Sequence, residues 1–355
     1  MFQGISYLRI FWKYSVINSL LDKLKANKKL SISECVDFVE LVFGGSVDSN
    51  TITDILLLIN KNGFGSDELT GFATAMRNAS QKVITTNDVV DNCGTGGDGL
   101  QTFNVSTTAS LIASSCGVCV AKHGNKAVTS KSGSADLLEF AGVNLEITPE
   151  QVSACLSELS FGFMFAPLHH SSMRFVASSR KDISPQKTIF NLLGPLTNPA
   201  GAKRQLIGVY SKKFMRPMAE TLINLGTSRA MIVHSFDGLD EISIFDKTYV
   251  LEVDDGNIKE YVIDPENYFS SKYKLSDIVV NDVESSLSMT KEVFKEKNIP
   301  AKNIAIINAA AIIYISGIVS TLDEGIKISE ESISSGKVTN KLDDLITFTN
   351  NFKNA

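Results

Sequence analysis

The chain has 355 residues, 43% hydrophobic and 21% charged, which excludes a disordered polypeptide and provides enough apolar material for two domains or one large one. Its 34 Lys and Arg against 39 Asp and Glu leave a net charge of −5. A protein built to hold a nucleic-acid backbone or an anionic membrane usually carries a basic excess, so any anionic ligand here must be held by a local cluster.

Residues 1–14 carry Phe2, Ile5, Leu8, Ile10, Phe11 and Trp12 without the basic-then-apolar layout or small-residue cleavage site of a signal peptide. The stretch Ile304–Val319 is interrupted by Asn308 and Ser316 and is shorter than the roughly 20 residues that span a bilayer. A cytoplasmic, membrane-free protein is therefore expected. Up to about residue 80 the apolar residues repeat with helical spacing, as in Ile17, Leu20, Leu21 and Leu24, then Cys35, Phe38, Val39 and Val42, then Leu69, Phe72, Ala73 and Met76. Ser31 with Glu34 forms a capping box, and Gly44 and Gly63 stand where helices end. This pattern predicts a helical bundle with its polar residues on solvated faces.

Beyond Val83 short β-rich runs alternate with helical stretches. Strands are expected at Val89–Asp91, Val118–Ala121, Val143–Ile147, Gln205–Tyr210 and Ala230–His234, with helices at Thr107–Ser115 and Phe214–Leu225. Such alternation predicts an α/β domain with a largely parallel central sheet. Residues 148–200 interrupt it with helical signals, among them the Thr148/Gln151 capping box with Pro149 at the first helical position, and further stretches near 170–180 and 186–193. The expected organisation is a helical domain of residues 1–83 plus inserted helices from 148–200, and an α/β domain of residues 84–147 and 201–355. Cys116 and Cys119 form one CxxC without a second pair, and five cysteines in all fit no disulfide framework. They read as small apolar residues.

The chemistry concentrates after the first strand, in Asp91-Asn92-Cys93-Gly94-Thr95-Gly96-Gly97-Asp98-Gly99. Gly94, Gly96 and Gly99 have dinucleotide-fingerprint spacing, but the helix does not open at the third glycine and no acid follows about 20 positions later. A nicotinamide or flavin site is thereby disfavoured, and the absence of GxxxxGK[ST] excludes a P-loop. The 37 residues Gly99–Ala135 contain no Asp or Glu where the chain average would place about four, yet carry Lys122, Lys126 and Lys131. Thr102, Asn104, Ser106, Thr107 and Thr108 surround a helix start in the same run. Backbone N–H groups at a helix N-terminus, hydroxyls and lysines make a phosphate site. Arg174, Arg180, Lys181 and Lys187 against Asp182 add positive charge, suiting a large anion or two anionic substrates. Asp240-Glu241 follows a later strand; alone such a pair is an ordinary solvated turn, but above a phosphate site it suits Mg²⁺.

Six motifs then occur in a familiar order: Gly94–Asp98, Asn104–Thr107, Lys122–Asn125, Ser132–Asp136, Asn191–Pro199 and Asp237–Glu241. Over roughly residues 16–350 the chain resembles the anthranilate phosphoribosyltransferase family. The resemblance implies the fold shared by nucleoside phosphorylases and these phosphoribosyltransferases, a homodimer formed through the helical domain, and substrates bound between domains that close on a hinge. It implies transfer of the phosphoribosyl group of 5-phosphoribosyl 1-diphosphate (PRPP) to the amine of anthranilate, with Mg²⁺, in tryptophan biosynthesis. By motif it assigns PRPP to Gly94, Gly97, Asp98, Thr102, Asn104, Val105, Ser106, Thr107, Lys122, His123, Gly124, Asn125, Lys126, Ala127, Val128, Thr129, Ser130 and Ser134. Anthranilate falls to Gly94, Asn125, His170 and Arg180, and the metal to Ser106, Asp240 and Glu241. No Ser-His-Asp set or activated Cys is evident, so Lys122 and Asp98 are expected to act electrostatically, without a covalent intermediate.

The alternative within the fold is a pyrimidine nucleoside phosphorylase, whose characteristic loops differ from Lys122–Asp136. A non-catalytic, nucleic-acid-binding relative should have lost Gly94–Asp98 or Asp240-Glu241 and gained basic residues; neither has happened. Two departures from the family pattern fall near the presumed anthranilate route. Ile183-Ser184-Pro185-Gln186-Lys187-Thr188 replaces Leu-Gly-x-Arg-Thr, one residue longer and with Lys for Arg, and Ser171 replaces a Pro.

Overall fold

The structure is a computed structural model that describes residues 15–127, 131–270, 273–353 and the backbone of residue 354. It divides into two compact units, residues 1–80 with 170–197, and residues 81–169 with 198–355.

The first unit is helical. A helix covers 15–25 and is followed by Ile32–Phe43, Ser49–Asn62 and Ser66–Ala79. The expected Ser31/Glu34 capping box opens the second, and Gly44 and Gly63 close the second and third. Helices Ile32–Phe43 and Ser66–Ala79 approach closely because Gly71 has no side chain: a Cβ there would lie 2.5 Å from the Cys35 Cβ. Phe38, Phe72 and Phe190 form a ring cluster, with centroids 5.9 and 5.5 Å apart in succession, so the returning segment supplies part of this core. Buried Glu68 is satisfied by the Leu30 and Gly65 N–H groups at 3.1 and 2.9 Å. The return from His170 holds a 3-10 segment Ser171–Val176, helix Ala177–Ile183 and short 3-10 turns at Ile189–Leu192 and Gly194–Leu196. The helix expected at 186–193 is thus a single 3-10 turn, capped by Asn191 on the Thr188 N–H.

The second unit carries seven strands: β1 (Val90–Asn92), β2 (Val120–Gly124), β3 (Phe161–Phe165), β4 (Arg204–Gly208), β5 (Arg229–Ser235), β6 (Thr248–Asp254) and β7 (Asn257–Ile263). Their order is β3-β2-β1-β4-β5-β6-β7; β3 to β5 form a parallel sheet and β6 and β7 extend it antiparallel. Strand order reverses beside β1, with β2 on one side and β4 on the other, and ligands in such sheets bind beyond the carboxyl ends at that reversal.

Several expectations are corrected. Helix Pro149–Leu159, with the expected Thr148 cap, and β3 lie in the α/β unit, because β3 pairs with β2 from Phe161 opposite Val120 to Phe165 opposite Gly124. The helical insertion accordingly begins near 170, not 148. Val143–Ile147 is part of no strand; its alternation reflects the burial of Val143, Leu145 and Ile147. Of Ile304–Val319, the part up to Ser316 belongs to helix Ile299–Ser316, which is long and apolar enough to cross a membrane by length and composition, but most of it is buried inside the unit. A helix apolar on all sides is what a core position demands.

That helix carries two buried amides, Asn303 and Asn308, and the second binds the main chain of a loop. Asn308 accepts the Ile242 N–H at 3.0 Å and donates to the Ile242 carbonyl at 2.9 Å, fixing the end of the loop that contains Asp240 and Glu241. Replacing Asn308 by Ala orphans both main-chain groups in an apolar setting. The variant is expected to lose about 2–4 kcal/mol of stability, read as a lowered urea midpoint with an unchanged slope.

Candidate active site

Three loops gather at the carboxyl end of the sheet: Cys93–Phe103 after β1, Asn125–Gly133 after β2, and Phe236–Glu241 after β5. Val128, Thr129 and Ser130 lie outside the described residues.

The first loop is tied down at its root. The Thr95 N–H donates to the Gly208 carbonyl at 2.8 Å, and the Tyr210 N–H donates to the Thr95 hydroxyl at 3.0 Å. Its middle meets the third loop, where the Gly96 N–H donates to Asp240 Oδ2 at 2.9 Å. A Cβ on Gly94 would stand 2.7 Å from that same oxygen, and one on Gly208 only 1.5 Å from the Asp240 carbonyl. Glycine at both places is a packing requirement, since any side chain would push Asp240 away. From Gln101 the chain pairs briefly along 278–280 and enters helix Val105–Ser115.

Asn104 is the N-cap of that helix, and its first helical residue, Val105, lies two before the expected start at Thr107: Asn104 Oδ1 accepts the Thr107 N–H at 2.9 Å. Its Nδ2 donates to the Ser132 carbonyl at 3.3 Å, joining the helix start to the second loop. The Ser106 hydroxyl lies 3.3 Å from Lys122 Nζ, and the Ser106 N–H favours the charged form of the Glu241 carboxyl. Lys122 is almost fully buried and also donates to the Asn92 carbonyl. Burial lowers its pKa, while Cys93, Asp91 and Glu241 pull the other way.

In the second loop Asp136 accepts the Ala127 and Gly133 N–H groups at 2.7 and 3.0 Å, and the Ala135 N–H donates to the Asn125 carbonyl. Ser134 Oγ lies 3.4 Å from that carbonyl. The lysines divide by role: Lys126 makes an exposed ion pair with Glu139 at 2.7 Å, Lys131 is exposed, and Lys122 alone is internal.

Negative charge converges on the third loop. Burial first, then Asp98 nearby, push the Asp240 carboxyl up to about 7. Glu241 is raised well above the usual range by burial and by Asp240, against Lys122. Carboxylates and hydroxyls are the oxygen ligands a hard divalent cation prefers, so the chemistry of Asp240, Glu241 and Ser106 fits Mg²⁺. Among the described residues no three His, Cys, Asp or Glu side chains cluster as a metal site.

Gly94 and Asn125 belong to this α/β unit, whereas His170 and Arg180 belong to the helical unit. His170 is buried at the start of Ser171–Val176. Arg180 is half-buried with its guanidinium 5.9 Å from the Phe190 ring centre, and burial lowers its pKa. Of the neighbouring cations, Arg174 stacks on Phe175 at 4.8 Å, and Lys181 and Lys187 are exposed. Cys116 and Cys119 are free thiols at the turn between Val105–Ser115 and β2. Asp91, Asn92 and Asn198, all buried and hydrogen-bonded beneath the loops, were not among the expected site residues.

Two domain types of one enzyme class match this chain: the α/β domain of a glycosyl transferase family over residues 86–339, and the helical bundle domain of the same family over 18–80. The anthranilate phosphoribosyltransferase of Thermoanaerobacter sp. (strain X514) is 42% identical over 334 residues, covering 94% of this chain and 98% of that one. The crystal structure of the Thermus thermophilus enzyme of that name superposes with a TM-score of 0.87 at 35% identity, over 93% of this chain and 99% of the other. The Saccharomyces cerevisiae enzyme in complex with PRPP and Mg gives 0.86 at 27% identity, over 95% and 98%. The chain belongs to the anthranilate phosphoribosyltransferase family.

One titration is set by the fold of the α/β unit. His169 is buried, with Nδ1 2.9 Å from the Gln81 carbonyl, and burial holds its pKa below that of a free histidine although that hydrogen bond opposes the shift. The folded state therefore binds the proton less readily than the unfolded chain. Its stabilising contribution is present above the unfolded pKa and is lost as pH falls through the folded one. Urea midpoints should drop more steeply between neutral and mildly acidic pH in the wild type than in His169→Asn, which keeps a donor for Gln81 and does not titrate.

Proposed function

We propose that the chain transfers the phosphoribosyl group of PRPP to the amino nitrogen of anthranilate, releasing diphosphate and forming N-(5-phosphoribosyl)anthranilate. The observation that carries this reading is the junction of the Gly94–Gly99 turn with Asp240-Glu241 beside buried Lys122, at the carboxyl end of a sheet whose strand order reverses there. Family membership and the PRPP- and Mg-bound yeast relative support it.

PRPP is a large anion, and the groups proposed to receive it are main-chain and hydroxyl donors. The turn at Gly94, Gly97 and Asp98 with Thr102 faces the diphosphate. Asn104, Val105, Ser106 and Thr107 open the helix whose N-terminus favours phosphate. Lys122 to Ser130 and Ser134 enclose the remainder. Asp240 and Glu241, with Ser106, would hold Mg²⁺, which when bound neutralises charge on the departing diphosphate. Lys122 adds a fixed positive charge where that charge develops.

As the C1′–O bond to diphosphate breaks, C1′ gains oxocarbenium character. The anthranilate nitrogen then forms the new bond from the opposite face and afterwards loses a proton. An aromatic amine is already neutral near pH 7, so attack needs no strong base, and catalysis is positioning and electrostatics. By the family motifs Arg180 is the partner of the anthranilate carboxylate, and Gly94, Asn125 and His170 are the other residues assigned to anthranilate. The same reading carries a homodimer formed through the helical domain and action on small molecules in the cytoplasm.

Anthranilate fluorescence should decay only when enzyme, PRPP and Mg²⁺ are all present. The double substitution Asp240→Asn/Glu241→Gln should lower kcat/KM by roughly 10²–10³-fold. Arg180→Ala should instead act mainly through the anthranilate KM, raising it about tenfold or more. No decay in the complete mixture, with PRPP still raising the melting temperature, would move the assignment to another acceptor; no decay and no PRPP binding would refute it.

A further inference from the structure

The carboxyl ends of β1 and β2 come apart in an unusual manner. Their parallel ladder is in register at Val90 opposite Val120, with the Val90 N–H donating to the Cys119 carbonyl at 2.9 Å. In a continuing parallel ladder the Asn92 N–H would next donate to the Ala121 carbonyl, and the His123 N–H to the Asn92 carbonyl. Instead side chains stand in for the missing strand. Asn198 Nδ2 donates to the Ala121 carbonyl at 2.9 Å. Asp91 Oδ1 accepts the His123 N–H at 3.0 Å, and Lys122 Nζ occupies the Asn92 carbonyl. The Asn92 N–H and the Asn198 side chain also favour the charged form of the Asp91 carboxyl.

The Ala121 and Asn92 carbonyls and the His123 N–H released by the separation are thus satisfied by buried side chains. Asp91 is fully buried, and burial pushes its pKa up to about 6 against the pull of Asn198 and the His123 N–H. A buried carboxylate is costly, and here its partner is the main chain of the segment Lys122–Gly124. Asn198 belongs to the Asn191–Pro199 motif, to which the proposed reaction assigns no task.

We propose that Asp91 and Asn198 are positioning residues: they wedge apart the ends of β1 and β2 and so fix the Lys122–Gly124 segment relative to the Gly94–Gly99 turn. Neither touches substrate in this role; each acts through Lys122 and the two loops. This inference rests on the proposed phosphoribosyl transfer for its kinetic consequence and on the ladder geometry for its structural one.

The test pairs steady-state kinetics with amide hydrogen exchange on the full chain. Asp91→Ala and Asn198→Ala should each raise the KM for PRPP roughly tenfold while the anthranilate KM stays within about twofold. Asp91→Asn retains an acceptor for the His123 N–H and should recover most of the loss. Exchange at His123 should be slow in the wild type, faster in Asp91→Ala, and slow again in Asp91→Asn. Equal impairment in Asp91→Asn and Asp91→Ala, or a lowered melting temperature with both KM values unchanged, would overturn the proposal. So would unaltered exchange at His123. If Asp91→Ala does not fold, Asn198→Ala decides on the same criteria. A wild type without PRPP-dependent turnover would refute the reaction instead, and exchange at His123 would then judge the wedge by itself.

Discussion

Like charges held together against their repulsion are the constraint on which the upper end of the α/β unit depends. Burial, together with repulsion among Asp98, Asp240 and Glu241, lifts the pKa of the latter two, and relaxation would separate the three. The fold prevents it: the Gly96 N–H holds Asp240, and Asn308 anchors the residue after Glu241. Gly94 and Gly208 leave no side chain to intrude. Repulsion stored in this way is relieved by a cation, which is a physical reason for expecting metal and polyphosphate to bind together.

The positive side of the balance is smaller than a count of lysines suggests. Lys126 is neutralised at the surface by Glu139, and Lys131 is exposed, so the internal charge rests on Lys122. Its ammonium is desolvated and held between a carbonyl and a hydroxyl, which fixes its place to within a hydrogen bond. A lysine so placed stabilises charge without having to reorganise, where a flexible surface lysine would lose entropy on every binding event.

Much of this was readable beforehand, for identifiable reasons. Helix ends were legible because capping is local: Ser31 with Glu34 and Thr148 with Gln151 need only a four-residue window. The Gly94–Gly99 turn and the acid-free run to Ala135 were legible from composition. What escaped was non-local. Phe161–Phe165 is a short apolar run that becomes a strand only through β2, and Val143–Ile147 has strand-like alternation without a partner. Asp91 and Asn198 are far apart in sequence and carry no spacing signal; their meaning emerges only where the ladder fails. The hairpin β6–β7 likewise declares itself by pairing.

The two units also differ in when they can be completed during synthesis. The aromatic cluster of the helical unit needs Phe190, which leaves the ribosome more than a hundred residues after Phe72. The parallel sheet is finished by β5, yet the helix that covers it with Ile304, Ile307, Ala311 and Ile312 is Ile299–Ser316. Until that helix emerges, an apolar face assembled from β1, β4 and β5 lacks part of its cover, and such surfaces recruit chaperones or aggregate. Premature termination anywhere between β5 and Ser316 would therefore release a chain with most of its chemistry and incomplete shelter.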